Sequence, residues 1–182
     1  MTQWKRLGLP ESFASKQIQI ARCYESMGCV PFYSCTPYYG SHLPLFGEHI
    51  AWAESSAVVF ANSVVGARCN REGGPSALAS ALTGLTPEYG FHLDENRLAQ
   101  VMFEVETEVK GLHEYGALGS YIGSIVEDKV PLIQGLSSHT SVEDLVAMGA
   151  GMASAGSVAL FHAKGITPEA GSNLVACSEN RV

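Results

Sequence analysis

A chain of 182 residues with only 16% charged side chains can bury one sizeable core, and such low charge implies either tight α/β packing or a surface covered by further protein. A net charge of −7 without a Lys/Arg run excludes a nucleic-acid-binding role, and no apolar run reaches the roughly 18 residues of a membrane span. The N-terminus lacks the apolar core of a signal peptide, and five cysteines without a C-x-x-C pair indicate reduced thiols, so the expected compartment is cytoplasmic.

In chain order, Phe13, Ile20, Ala21, Tyr24 and Met27 predict a helix from Glu11 to Met27, stopped by Gly28. The run "CVPFYS" predicts a short strand that ends at Cys35-Thr36-Pro37, where proline disfavours helix at Thr36 and an extended loop continues to about Gly47. A helix is expected from Glu48 to about Ser63, rich in small residues that permit close backbone approach, with Gly66 as its stop. After "ARCNREGG", Pro75 to Leu82 predicts a second helix, ended by Gly84.

The segment "AQVMFEVETEVKG" alternates as a strand, with Glu104, Glu106 and Glu108 on a solvated face. Then "YGALGSYIGSIV" predicts a glycine-punctuated helix, "VPLIQ" a strand, "SVEDLVAMGAGMASAG" a helix starting near Ser141, and "SVALFHA" a strand. This alternation of helices and short strands predicts an α/β fold, taken as one unit over residues 1–182. Ligand sites in such folds gather in loops after strands, here "CTPYYG", "GLSSHT" and "HAKGITPE".

Three groups of residues carry candidate chemistry. The loop from Arg68 to Ser76 leads into a helix N-terminus, and two guanidiniums beside free N–H groups suit a carboxylate or phosphate; the plainer alternative is arginine pairing with Glu72. Cys35 fits a buried small hydrophobe, a nucleophile or a metal ligand. His42, His49, His92, His113, His139 and His162 form no H-x-x-x-H pair, which makes a zinc hydrolase a weak alternative. Glu48, His49, Glu54 and Ser55 raise acid–base work, against a simpler role as caps or satisfied core groups.

Taken together, "CTPYYGSHLPLFGEHIAWAESSAVVFANSVVGARCNREGGPSALASALTG" and "TPEYGFHLDENR" resemble the catalytic large subunit of aconitase X, and the resemblance continues through "YGALGSYIG", "GLSSHTSVEDL" and "LFHAKGITPEA". It implies an aconitase-like catalytic core and a hydro-lyase that uses an iron–sulfur cluster to remove water from a small hydroxy acid. Family activities are dehydration of cis-3-hydroxy-L-proline and of mevalonate 5-phosphate. The resemblance implies Cys35 as a ligand of a 4Fe-4S or 2Fe-2S cluster, with Arg68, Asn70, Arg71 and Glu72 facing substrate. It further implies that Glu48, His49, Glu54, Ser55 and Asn62 line the cleft, with Asn96 and Arg97 as additional polar groups. Cys69 occupies a position where many relatives carry a hydroxyl residue, and is read as a substituted thiol.

The family's large subunit is about twice this length, carries its other cluster cysteines in a following segment, and works with a small swivelling domain. The chain is therefore expected to be an incomplete core, with the other cluster ligands outside it and the small subunit as partner. The rival expectation is a catalytically inactive truncated core that binds anions or a partner subunit. Three structural and physical expectations follow from the resemblance: Cys35 ends a strand and faces the cleft of the Arg68 to Ser76 loop, exposed apolar surface is extensive, and the chain alone holds no stable cluster.

Overall fold

The computed structural model of the protein describes residues 3–40 and 42–171. Extended Pro10 precedes α1 (Glu11–Ser26), and Gly28 with φ +97° ends it, as the pattern predicts. Ala14 is the one buried residue of α1, so its apolar stripe, including Phe13 and Ile20, remains exposed.

The strand expected over residues 29–34 does not form. Pro31 removes a ladder donor, no described segment pairs with this run, and Val30 is 79% exposed. Cys35 therefore sits in an exposed loop before a short 3-10 turn at Pro37–Tyr39, and not at the end of a strand. Tyr38 anchors that loop by stacking on Phe60, with ring centroids 4.0 Å apart. Val30, Phe46 and Leu85 are exposed apolar side chains.

The helix expected from Glu48 starts later, at Ser55. Residues 48–50 run extended and pair with the chain around Arg68: the Arg68 N–H donates to Glu48 O at 2.8 Å and the Ile50 N–H to Arg68 O at 2.9 Å. Tertiary pairing here overrides the helix propensity of an alanine-rich stretch. Helix α2 (Ser55–Phe60) then passes into a π turn over Ala61–Val65, ended by Gly66 at φ +78°. Only glycine suits that position, because a Cβ would lie 2.5 Å from Phe46 Cδ2. Helix α3 (Gly74–Thr83) closes at Gly84, as expected.

The rest of the described chain is a parallel three-stranded sheet with helical crossovers. Strands β1 (Val101–Glu104), β2 (Pro131–Gln134) and β3 (His162–Ala163) lie in the order β1-β2-β3. Val101 faces Pro131 and Leu132 faces His162 in register. The alternation of Val101 and Phe103 survives, but β1 stops at Glu104, and Glu106 and Glu108 stand exposed in the following loop. Helix α4 (Gly111–Val126) connects β1 to β2, and α5 (Val142–Gly156) connects β2 to β3. A capping box between Ser141 and Asp144 starts α5 where the sequence places it.

Helices α4 and α5 lie side by side along a glycine seam, and α2 packs against α5, joining Val59 to a core of Ile122, Ile133, Met148, Met152 and Phe161. At Gly123 an added Cβ would lie 2.6 Å from the Met152 carbonyl oxygen, a backbone atom that cannot rotate away. Alanine gains about 1 kcal/mol of helix propensity. The helices must separate to admit it, and overpacking of this kind costs about 1–3 kcal/mol or more. Gly123→Ala is therefore expected to lower the urea midpoint, whereas exposed Ser124→Ala stays within about 0.5 kcal/mol of wild type. Equal midpoints for the two variants would contradict the seam.

Candidate active site

A cleft of about 770 Å³ opens beside α2 and α3. Its wall includes Glu48, His49 and Glu54 on the extended segment, Ser34 and Pro37 on the loop that carries Cys35, and Ala77, Ser80 and Ala81 on α3. A mostly apolar lining with a few polar groups is the usual make-up of a small-molecule site. Three of the four acid–base candidates thus share one wall, because pairing with Arg68 holds residues 48–50 straight.

Each polar group on that wall has a distinct setting. Glu48 is exposed, and its Oε2 accepts the Leu45 N–H at 2.8 Å. Glu54 caps α2, with Oε2 accepting the Ala57 N–H at 2.8 Å and the Ser56 hydroxyl at 2.6 Å. Burial by itself pushes the Glu54 carboxyl up, but the hydrogen bonds from Ser56 and Ala57 outweigh it and hold the pKa below the ordinary value. The Glu54 carboxylate is thus held in its charged form at neutral pH. Exposed Ser55 lies next to it, its hydroxyl 3.5 Å from Glu54 Oε1. His49 stacks on His92, with the two Nδ1 atoms 2.8 Å apart.

Behind the wall is a buried ionic network. The carboxylate of Glu169 accepts from Arg97 Nε at 3.0 and 3.1 Å, from Arg97 Nη2 at 2.5 Å and from Arg68 Nη1 at 2.8 Å. Arg97 also donates to Asn62 Oδ1, Asn62 O and Phe91 O, so all five of its N–H groups are engaged. Arg68 completes its contacts with Gly66 O and with exposed Asp94 at 2.7 Å. Asn62, fully buried, donates to Cys69 O and Ala159 O and accepts the Cys69 N–H. His162 donates Nε2–H to Arg97 O at 2.7 Å.

This network departs from the expected substrate loop. Asn62, Arg68, Asn70, Arg71, Glu72, Asn96 and Arg97 do not line the cleft. Asn70 holds Tyr89 O and the Phe91 N–H, and Asn96 holds Gly90 O. The two short 3-10 turns at Gly90–His92 and Asp94–Arg97 leave backbone groups that need partners, and these side chains supply them. Arg71 is exposed and donates to Ser157 O. Arg68 turns to Glu169 and Asp94, so the two arginines do not converge ahead of α3. Buried Cys69 has its thiol pushed up to about 12 by burial, so it stays protonated at neutral pH.

Comparison with known proteins gives this geometry its context. The profile of the aconitase X first domain matches residues 1–95, and that of the aconitase X second domain matches residues 99–181. The chain belongs to the aconitase X family. It is 51% identical to the phosphomevalonate dehydratase large subunit of Methanothermobacter thermautotrophicus, over 93% of this chain and 42% of that protein. It is 40% identical to the cis-3-hydroxy-L-proline dehydratase of Pseudomonas aeruginosa, over 92% of this chain and 29% of the relative. The crystal structure of Thermococcus kodakaraensis aconitase X in its holo-form matches with a TM-score of 0.82 and 46% identity, over 95% of this chain and 45% of that one. The chain thus spans less than half the length of these relatives.

Aconitase X membership raises the question of whether the donors present fit an iron–sulfur cluster. Cys35 is a free, exposed thiol, flanked by cleft residues Ser34 and Pro37. Its sulfur has the donor chemistry that a single cluster ligand requires. Among the described residues no three His, Cys, Asp or Glu side chains converge as a metal site, and Cys177 lies outside them. Two residues central to this aconitase X core were not singled out from sequence, Glu169 and His92. The run "HAKGITPE" marked the right loop for Glu169, but a partner 72 residues away leaves no local spacing to read.

Proposed function

We propose that this chain forms part of the catalytic large subunit of a hydro-lyase that dehydrates mevalonate 5-phosphate, working with a small swivel-domain subunit. The observation that carries this reading is the shared wall of Glu48, His49 and Glu54 on a cleft beside the Cys35 loop, in a chain of the aconitase X family. The phosphate-bearing substrate is favoured by identity: four phosphomevalonate dehydratase large subunits match at 47–51% and a fifth at 39%, against 37–40% for two cis-3-hydroxy-L-proline dehydratases.

Cys35 would supply one thiolate to a 4Fe-4S or 2Fe-2S cluster, the other ligands coming from outside this chain, and the cluster when bound supplies Lewis acidity toward the departing hydroxyl. The chain's own groups do the rest. His49 lines the cleft and is the imidazole we assign to proton transfer, Glu48 supplies an exposed polar contact on the same wall, and exposed Ser55 adjoins it next to Glu54. Glu54 holds a fixed negative charge that disfavours a wrongly oriented anion. Asn62, Arg68, Asn70, Asn96 and Arg97 act as positioning residues that keep the wall rigid. Glu72, off the cleft lining, supplies negative charge in the neighbourhood of His92. Arg71, exposed and among the described residues held by one N–H group to Ser157 O, lies outside the cleft lining, where it would meet a phosphate that extends beyond the wall.

The test is turnover by the complete enzyme, large and small subunits together, with mevalonate 5-phosphate and with cis-3-hydroxy-L-proline. The expected result is preference for the phosphorylated substrate, with Arg71→Ala raising KM about tenfold by loss of one charge contact worth about 1.5 kcal/mol. Preference for the hydroxyproline would refute the substrate assignment, and turnover of neither would refute the hydro-lyase reading.

A further inference from the structure

His49 and His92 are 43 residues apart in sequence, yet their Nδ1 atoms lie 2.8 Å apart. The ring planes are within 10° of parallel and the ring centroids are 5.0 Å apart. That spacing is close to the N–N contact plus the two distances from ring centre to nitrogen, so the rings are slid past one another until their Nδ1 edges meet. Imidazole N–H bonds and lone pairs lie in the ring plane, and this geometry therefore holds one proton between the two nitrogens.

Both rings are brought to this contact by their backbones. The Arg68 N–H donates to Glu48 O and the Ile50 N–H to Arg68 O, which pins the residues on either side of His49. His92 closes the 3-10 turn at Gly90–His92, where Asn70 holds Tyr89 O and the Phe91 N–H, Asn96 holds Gly90 O and Arg97 holds Phe91 O. Three polar side chains thus grip the three residues ahead of one imidazole. His92 is 5% exposed, and burial holds its pKa below the ordinary value, so its ring enters the pair neutral. Its Nε2 has no hydrogen-bond partner, which leaves the contact with His49 as the hydrogen bond that its ring makes among the described residues.

The consequence falls on His49, which is exposed and lines the cleft. The two nitrogens of an imidazole point in nearly opposite directions, so committing Nδ1 to buried His92 turns Nε2 away from it. We propose that His92 is a positioning residue for His49, fixing its ring through the Nδ1 contact and accepting Nδ1–H from it in the tautomer that uses Nε2 as general base. This rests on the dehydratase reading above. The substrate C–H proton moves to Nε2 and its bonding pair forms the new C=C. The C–OH bond breaks with its pair on the departing hydroxide, and that hydroxide and the proton together make up the water lost. Once Nε2 is protonated, the Nδ1–H belongs to a cation, and its bond to His92 becomes about twice as strong as a neutral one. A contact that strengthens as charge develops raises kcat rather than tightening substrate binding. Asn70, Asn96 and Arg97 then act on the cleft through His92, although none of them lines it.

The contact can be read without turnover, from nitrogen–nitrogen coupling through the hydrogen bond in the full chain labelled with ¹⁵N-histidine. The expected result is a cross-peak between the Nδ1 atoms of His49 and His92, lost in His92→Phe; its absence from the wild type overturns the proposal. In the complete enzyme, His92→Phe is expected to lower kcat about tenfold, as loss of a hydrogen bond to a charged group does, with KM unchanged. His92→Asn is expected to recover most of that loss, because its amide oxygen, bonded to Cγ as Nδ1 is, can accept the His49 Nδ1–H. Equal kcat for the two variants, or a change in KM alone, would make His92 a space-filling residue and overturn the proposal. A missing cross-peak leaves the dehydratase reading intact, since no substrate is present, whereas a complete enzyme that shows the pair but turns over neither substrate refutes that reading instead.

Discussion

Glu169→Ala is expected to lower the stability of the folded chain by about 3–5 kcal/mol, because it leaves buried guanidinium charge without a counter-ion. The Arg97 side chain is 1% exposed and that of Arg68 is 12% exposed, and both donate to this one carboxylate. Hydrophobic replacement elsewhere in the core removes only apolar contacts. Here the loss exposes the full desolvation penalty of a charge that cannot retreat to water. Asp94, at 77% exposure, is the control: its pair with Arg68 is screened by solvent, and Asp94→Ala is expected to cost at most about 1 kcal/mol. Urea unfolding of the two variants compares the effects directly, provided the slope is unchanged. Similar midpoints would mean that Glu169 does not hold the two arginines together.

His49→Ala is expected to reduce kcat/KM of the complete enzyme by about 10²–10⁴, the usual contribution of a positioned general base. Its backbone position is secured by neighbouring main-chain bonds, from the Arg68 N–H to Glu48 O and from the Ile50 N–H to Arg68 O, so the fold should tolerate the truncation. Circular dichroism and the urea midpoint should therefore stay close to wild type while turnover falls. A loss of less than about threefold would remove His49 from the chemistry, whatever its tautomer.

The features that sequence made legible are those set by neighbours in the chain. Gly28, Gly66 and Gly84 mark helix ends because each takes a left-handed conformation there, and Ser141 with Asp144 marks the start of α5 through a local capping box. The turn to strand at Val101 and Phe103 was visible in two-residue periodicity. By contrast, "GEHIAWAE" has the composition of a helix, and only a partner twenty residues later, at Arg68, draws it straight. The run around Pro31 has strand-forming residues but no ladder to join. The candidate site divides the same way. The wall residues Glu48, His49 and Glu54 were selected together from one stretch, yet the inward turn of Asn62, Arg68 and Arg97 depends on Glu169 and Phe91, which no spacing announces.

The ties behind the wall also carry a meaning for how the molecule comes into being. Asn62 bonds Ala159, the Ser63 hydroxyl accepts from the Phe161 N–H, and Arg68 pairs with Glu169, spanning 97, 98 and 101 residues of chain. Contacts so distant in sequence form late, since loop-closure entropy must be met before they return any stabilisation. A nascent chain that has emerged only as far as the end of the first-domain match at residue 95 holds the entire cleft lining but none of these three distant partners. During that interval Asn62 and Arg68 have their polar groups turned toward positions that nothing yet fills. The wall would become rigid on the ribosome in one late step, when residues near 169 arrive, rather than by gradual accretion along the chain.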